Sequence, residues 1–365
     1  MPHSTPTTAA VSTPTTPTPR GPAPSAREHR HDVDLMRVIG SVAVILVHTA
    51  SSFVHVVEDQ EANGAGAFWV GHVGESFSRF AVPLFFAMAG WVVLVGAPPR
   101  DERKMWTRIV RNAVPVFVWS LAYVAWAWLR DRNDDPAVDL ATQSFFGDIR
   151  PAYHLWFMYA YIPIVAVLAF AVLVRAGKHP WGLGLALLGV AAGPTVFSTV
   201  TEVTGFDGLP EFGWSFGTYQ VIYAVGGALL IGLPHRVPAR WRWGLLAVLV
   251  AAQAGILWYS TQVHYPIPYA HLFVGVSTVC LILLLNRVRV PERWRPALSR
   301  LAGASLGAYL VHVFFVEELV DPVVSADMSG FVAALTLLAM LAVIVALSYG
   351  ASLLWERLGL RRWLG

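Results

Sequence analysis

The sequence predicts an all-α polytopic membrane protein, a helical bundle of about ten transmembrane helices. Of its 365 residues, 56% are hydrophobic and 13% are charged, and the mean hydropathy is +0.55, which lies outside ordinary globular usage. Apolar runs of roughly 20 residues, the length a helix needs to cross about 30 Å of hydrocarbon, recur along nearly the whole chain. They are too long and uniform for barrel strands, so helices must satisfy the backbone in lipid.

The apolar runs define the ten predicted spans. In chain order they cover residues 35–55, 77–97, 110–129, 154–175, 181–200, 216–233, 243–261, 268–286, 301–319 and 329–355.

The charges of the connecting segments support this count. Basic residues fall in alternate segments: Arg100, Arg103, Lys104, Arg108 and Arg111; Arg175 and Lys178; Arg236, Arg240 and Arg242; Arg287, Arg289, Arg293, Arg295 and Arg300; and Arg357, Arg361 and Arg362. The other segments are poor in Lys and Arg or are acidic. Because Lys and Arg accumulate on the cytoplasmic side, both termini are predicted to be cytoplasmic and the number of spans to be even.

The segments outside the spans carry little chemistry of their own. Residues 1–31 are rich in Pro, Thr, Ser and Ala without apolar periodicity, which predicts a disordered cytoplasmic tail before a transmembrane domain at 32–365. The single cysteine, Cys280, excludes a disulfide framework and a cysteine metal site, and we expect no metal. The basic excess on the predicted cytoplasmic loops suits anionic lipid or a phosphorylated ligand better than nucleic acid.

The first span contains an arginine and a histidine on one helix face. His48 follows Arg37 by eleven residues, so the two differ by about 20° in azimuth and about 16 Å in height. Ionisable groups at membrane depth usually face a protein interior or a wet cavity. The pair predicts a cavity with a cation at its mouth and a base in its depth. Taken singly, Arg37 fits an interface anchor and His48 an interhelical hydrogen bond, while Asp34 orients Arg37 or forms an ordinary interface ion pair.

These residues resemble the integral-membrane acyltransferase 3 family, whose first helix carries an arginine and a histidine separated by ten residues. Further similar motifs follow in the family's order. They are FSRFAVPLFFAMAGW at 77–91, RIVRNAVPVFVWSLAY at 108–123, HLWFMYAY at 154–161 and SLGAYLVH at 305–312. The chain departs from the family where Ala89 precedes Gly90 in place of the frequent serine.

The resemblance implies a bacterial plasma-membrane enzyme that transfers an acetyl or other short acyl group from cytoplasmic acyl-CoA to a carbohydrate hydroxyl. The closest likeness is to enzymes that O-acetylate surface polysaccharides, so the implied acceptor is a surface or lipid-linked glycan. Neutral imidazole suits a base near pH 7, and the planar donor fork of arginine suits phosphate. His48 is therefore expected to be the general base or to carry the acyl group, and Arg37 to bind the nucleotide phosphates.

Other polar residues near the spans have two interpretations each. His72, Glu75 and Arg79 form a one-face stripe that leads from the predicted outer loop into the bilayer. Arg79 either faces the cavity and the substrate or forms a structural ion pair with Glu75, and Glu75 can also orient His48 as part of the catalytic site. Asp34, Arg79, Arg108 and Arg111 are the further candidates for the donor site, with cytoplasmic anchoring as the alternative for Arg108 and Arg111.

The candidates for the acceptor site are His154, Trp156 and His312. The aromatic cluster around His154 also fits an interfacial belt, and His312 also fits a satisfied core histidine. A transporter remains the alternative class, since buried charges among ten helices also describe transporters. A macrolide-type acceptor is the alternative within the enzyme class, because fold does not choose the acceptor. Protein partners are not predicted.

Overall fold

The computed structural model describes residues 29–59, 63–131, 136–147, 152–206 and 208–365. Within these ranges the chain forms helices and no strands, which confirms the all-α class. The helices are α1 (His31–His55), α2 (Gly66–Ser78), α3 (Ala81–Trp91), α4 (Glu102–Leu129), α5 (Ala137–Phe145), α6 (Trp156–Arg175), α7 (Trp181–Thr204), α8 (Thr218–Gly232), α9 (Ala239–Gln262), α10 (Leu272–Leu285), α11 (Arg295–Phe315), α12 (Gly330–Arg357) and α13 (Arg361–Leu364). Residues 1–28 of the predicted tail lie outside the described ranges.

Each predicted apolar run corresponds to helix in the structure. In the described part of the chain, eight helical segments are long and apolar enough to cross a membrane, and the apolar helices α8 and α10 are shorter. The protein is therefore a multi-pass membrane protein. The cytoplasmic placement of both termini stays a prediction.

The second span begins earlier than its hydropathy indicates. Helical structure starts at Gly66 and continues to Gly96, whereas the apolar run begins at residue 77. The added turns pack closely on α1: a Cβ at Gly71 would meet the backbone of α1 at Val54, and a Cβ at Gly74 would meet Ala50. Small residues that allow such close approach favour helix association in membranes without raising the hydropathy of the segment. Close packing therefore explains these turns, and a hydropathy profile does not detect them.

Arg79 and Phe80 interrupt this span between α2 and α3. Pro83 has no backbone N–H with which to bond the carbonyl of Arg79 four residues earlier. Leu84 N–H restores the helical pattern by donating to the carbonyl of Phe80 at 2.9 Å. The break therefore lies beside the charged residue at the middle of the span.

The short helices α8 and α10 begin inside the bundle. Tyr219, near the start of α8, lies 6.4 Å from Phe86 of α3, ring to ring. Tyr269, just before α10, lies 5.7 Å from the ring of Trp156 at the start of α6. The Tyr223 hydroxyl donates to the carbonyl of Tyr269 at 2.7 Å. The segments before these helices therefore reach the core, which explains why two predicted spans are shorter as helices.

Helix α1 occupies the centre of the bundle, since it packs against α2, α3, α11 and α12. Met36 and Ile45 on this helix are fully buried and belong to two different apolar clusters of the core. Because neighbours fix α1 on several sides, the residues on its remaining face have defined positions. Arg37 and His48 lie on that face.

Candidate active site

A cavity of about 810 Å³ runs along the face of α1 that carries Arg37 and His48. Both residues line it, as expected from their spacing. Five arginines line one part, which we call the basic mouth: Arg37, Arg108, Arg111, Arg361 and Arg362. His48, His154 and Tyr309 line another part, and together with His312 behind them we call these residues the histidine end. None of the described residues that line the cavity is Asp or Glu.

Asp34 contacts Arg37 from outside the cavity. Its carboxylate lies 3.8 Å from the Arg37 guanidinium and accepts a hydrogen bond from Ser299 Oγ at 2.7 Å. Asp34 is 5% exposed, and it does not line the cavity. Its geometry suits orientation of Arg37, and a direct contact of Asp34 with the donor stays a prediction.

The first turns of α4 bring two more arginines to the basic mouth. Asp101 caps this helix by accepting from the Lys104 backbone N–H at 2.8 Å, and this bond holds the pKa of Asp101 below its usual value. Arg108 donates to the carbonyl of Ala97 at 3.1 Å, while its other terminal nitrogen, Nη1, is buried without a partner among the described residues. Arg111 lies one turn further along the same cavity wall.

The sequence did not single out Arg361 and Arg362 of α13. Arg361 donates to the Glu356 carboxylate at 2.8 Å and to the carbonyl of Gly303 at 3.0 Å, which ties α13 to α11 and α12. Trp119 Nε1 donates to the carbonyl of Leu364 at 3.3 Å, which ties α13 to α4. In sequence these arginines are only part of a basic segment, and no spacing connects them with Arg37.

Three imidazoles from three helical segments meet at the histidine end. The His48 ring centroid lies 5.1 Å from that of His312 and 6.4 Å from that of His154. His154 and His312 are 5.3 Å apart. Tyr153 lies 5.4 Å from His48. The sequence assigned His154 and His312 to the acceptor site, and the structure brings both to His48.

Backbone contacts determine which nitrogens of His312 and His154 carry a proton. His312 Nδ1 faces the carbonyl of Tyr309, and His154 Nε2 faces the carbonyl of Leu310 at 3.4 Å. A carbonyl only accepts, so these nitrogens donate, and in neutral rings His312 Nε2 and His154 Nδ1 carry lone pairs. Both lone-pair nitrogens are buried without a hydrogen-bond partner among the described residues. Two buried acceptors therefore lie close to His48.

Tyrosine hydroxyls hold the helices that carry these rings. Tyr123 Oη donates to the carbonyl of Leu310 at 3.0 Å and accepts from the backbone N–H of Phe314 at 3.1 Å. Tyr309 Oη donates to the carbonyl of His154. These bonds connect α4 to α11, and α11 to the start of α6. They fix the backbone that carries His154 and His312.

Glu75 and Arg79 form a second, buried polar cluster. Their charged groups are 3.6 Å apart, and Tyr265 Oη donates to Glu75 at 3.0 Å. Burial, followed by the Glu75 carboxylate, raises the pKa of Tyr265, so its hydroxyl remains a donor at neutral pH. The Arg79 guanidinium lies 5.9 Å from the ring centroid of Tyr269. The predicted ion pair is present, while the roles of Glu75 in orienting His48 and of Arg79 in donor binding stay predictions.

Two aromatic residues, Trp156 and Tyr269, line the cavity. Their ring planes are inclined by 31° at 5.7 Å. Tyr269 therefore contacts both the cavity and the Glu75 and Arg79 cluster. The surface is suited to stacking against a ring of the ligand.

Comparison with protein families identifies the chain. A family model described as the acyltransferase domain of acyltransferase 3 matches residues 30–353, nearly the whole length. The chain belongs to the acyltransferase 3 family. It is thus a membrane acyltransferase, and the resemblance drawn from its motifs is confirmed. No curated protein and no solved structure gives a significant match to the chain.

Proposed function

We propose that this acyltransferase 3 protein moves an acetyl or other short acyl group from cytoplasmic acyl-CoA to a carbohydrate hydroxyl. The acceptor is a surface or lipid-linked glycan, and the enzyme works in a bacterial plasma membrane. One observation carries the proposal: a single cavity joins five arginines to His48, and no acidic side chain among the described residues lines it. A cavity of this kind suits an anionic ligand whose reactive end reaches the imidazole.

The length of CoA fits this arrangement. Along α1, Arg37 and His48 are separated by about 16 Å. A pantetheine arm, which contains two amide units, has the reach of about five extended residues, or about 16–18 Å. A thioester beside His48 would therefore put the diphosphate near Arg37, where the guanidinium groups of Arg108 and Arg111 add further donors.

The reaction needs a group that accepts the proton of the hydroxyl and a proton donor for the departing CoA thiolate. His48 removes the proton of the acceptor hydroxyl while that oxygen attacks the thioester carbonyl. The tetrahedral intermediate then collapses with cleavage of the C–S bond, and the imidazolium returns the proton to the departing CoA thiolate. In the second route, His48 itself attacks the thioester carbonyl, the C–S bond breaks, and the ring N–H proton goes to the departing CoA thiolate. The acceptor hydroxyl then attacks the acyl group on His48, the C–N bond breaks, and the hydroxyl proton returns to the imidazole.

Aromatic faces support a sugar acceptor. Trp156 and Tyr269 line the same cavity as His48 and His154, and the apolar face of a sugar ring stacks on aromatic side chains while its hydroxyls form hydrogen bonds with polar partners. The unpartnered Nδ1 of His154 is one such partner. A macrolide-type acceptor remains the alternative substrate class. Family membership favours the enzyme over the transporter.

The test is transfer of labelled acetyl from acetyl-CoA into envelope glycan and lipid extracts by membranes that contain the protein. His48→Ala membranes serve as the inactive arm, and His264→Ala, in an exposed loop away from the cavity, serves as the matched histidine control. Label that appears with the unaltered protein and with His264→Ala but not with His48→Ala supports the proposal. Equal label with His48→Ala at equal expression would remove His48 from the mechanism.

The extract that acquires label identifies the acceptor class. Label in polysaccharide or glycolipid supports the carbohydrate acceptor, whereas label only in an added macrolide supports the alternative. If acetyl-CoA and longer acyl-CoA donors all fail in every extract, the proposed donor is wrong.

A further inference from the structure

The geometry points to His312 as the positioning residue that orients His48, a role filled in many histidine-dependent enzymes by a carboxylate. This inference rests on the proposed function, because it assigns a partner to the proposed base. His312 is fully buried, and it lies 5.1 Å from His48, ring to ring. It does not line the cavity, whereas His48 and His154 do. His312 therefore lies behind His48 with respect to the space for substrate.

The protonation pattern of His312 suits this role. Its Nδ1–H is used by the carbonyl of Tyr309, so Nε2 is the lone-pair nitrogen of the neutral ring. That nitrogen is buried without a partner among the described residues. Leaving a buried acceptor unsatisfied is energetically unfavourable, and buried polar groups without partners are uncommon in folded proteins. A donor that reaches Nε2 removes this cost.

His48 can supply that donor. A neutral imidazole has one N–H and one lone pair, and the His48 and His312 rings are inclined by 46°. The Cβ–Cγ torsion of histidine has a broad minimum, so the rings can align at small cost. With its N–H directed to His312, His48 presents its lone pair to the cavity, where the acceptor hydroxyl must lose a proton. The hydrogen bond from His48 to His312 therefore selects the tautomer of His48 that can accept the proton of the substrate hydroxyl.

The same contact stabilises the charge that forms during the reaction. When His48 takes the proton of the acceptor, its original N–H still points to the His312 lone pair, and hydrogen bonds from a charged donor are stronger than neutral ones. A preorganised acceptor aimed at developing charge lowers the barrier. A neutral partner also avoids placing a carboxylate in the membrane interior, where charge is expensive.

Two other titratable residues considered for this role, His154 and Glu75, fit less well. His154 is further from His48, at 6.4 Å, and unlike His312 it lines the cavity. Glu75 is engaged by Arg79 at 3.6 Å and by Tyr265 at 3.0 Å. His312 is therefore the partner that the contacts favour.

The test measures steady-state transfer with His312→Ala, His312→Gln and Val313→Ala in the full-length membrane protein. Val313 is also fully buried on α11 and does not line the cavity, so its truncation reports the cost of lost packing alone. For His312→Ala we expect kcat to fall about 10-fold or more, but less than the roughly 10²–10⁴-fold contribution of a general base. KM for acetyl-CoA should stay within about two-fold.

His312→Gln separates positioning from packing. Its amide oxygen can accept from His48, so kcat should recover at least part of the loss seen with His312→Ala. Unchanged kcat in His312→Ala, a matching loss in Val313→Ala, or a rise in KM without loss of kcat would each overturn the inference. If the unaltered protein transfers no acyl group, the proposed function fails instead, so the two failures are distinct.

Discussion

The two ends of the cavity use different chemistry. The basic mouth consists of five arginines, of which Arg111, Arg361 and Arg362 are exposed. The histidine end consists of three imidazoles held by backbone carbonyls and tyrosine hydroxyls, with His154 and His312 buried. Permanent charge is thus concentrated at the more exposed end of the cavity, and the titratable imidazoles at the more buried end.

This difference separates binding from chemistry. In the proposed reaction, guanidinium groups at the mouth interact with the same donor phosphates before and during the chemical step, so they contribute uniform binding that appears in KM. Imidazoles at the other end gain interactions only when a proton moves, so they contribute to kcat. Variants at the two ends should therefore affect different kinetic constants.

The largest effect is expected at the histidine end. His48→Ala removes the proposed base and should lower kcat by about 10²–10⁴-fold, the usual contribution of general base catalysis. Binding of acetyl-CoA to purified protein, measured by isothermal titration, should remain within a few-fold. A His48→Ala protein that loses donor affinity but keeps its turnover rate would reverse the assignment of the two ends.

The next effect is expected at the basic mouth. Arg37→Ala and Arg111→Ala should each raise KM for acetyl-CoA by about 10- to 100-fold, since a hydrogen bond to a charged group contributes about 1.5–3 kcal/mol. Turnover at saturating donor should change little. Arg103→Ala is the matched control, because Arg103 is exposed on α4 and does not line the cavity. An equal effect of Arg103→Ala would indicate a general charge effect instead of a phosphate contact.

A third change tests the frame that both ends share. A Cβ at Gly90 would collide with the backbone of Ala224 on α8, and Gly227 approaches α3 at Ala87 in the same way. Gly90→Ala should lower stability by about 1–3 kcal/mol, as overpacking does, which thermal unfolding in detergent would report. Gly226→Ala is the control, since a Cβ there meets nothing within 4 Å. Equal stability of both variants would contradict the close approach of α3 and α8.

The smallest effect is expected from ionic strength. Added salt shortens the screening length, which is about 30 Å at 0.01 M and about 3 Å at 1 M. We therefore compare the kinetic constants at low salt and at about 0.5 M. KM for acetyl-CoA should rise several-fold because the mouth is exposed, while kcat should change less than two-fold because His154 and His312 are buried and His48 is only partly exposed. Rates measured at several salt concentrations with saturating and limiting donor would separate the two. A salt-dependent kcat would show that the ends are coupled.

The sequence predicted most of the fold and one wall of the site. Ten apolar runs correspond to helices, and the spacing of Arg37 and His48 placed both on the face that lines the cavity. The start of the second span at Gly66 was missed, because its first turns are held by close helix packing and not by strong hydropathy. The short helices α8 and α10 were predicted as full spans, since hydropathy does not reveal where a segment folds into the core.

The sequence by itself determined that the chain lies in a membrane, that it is helical, which family motifs it carries, and that Arg37 and His48 share one helix face. These properties depend on composition and on geometry within one helix. The tertiary structure decided that His154 and His312 meet at His48 and that Arg361 and Arg362 join Arg37 at the mouth. Those residues are separated by more than 100 positions along the chain. Helix packing alone sets such distances, and no local pattern encodes them.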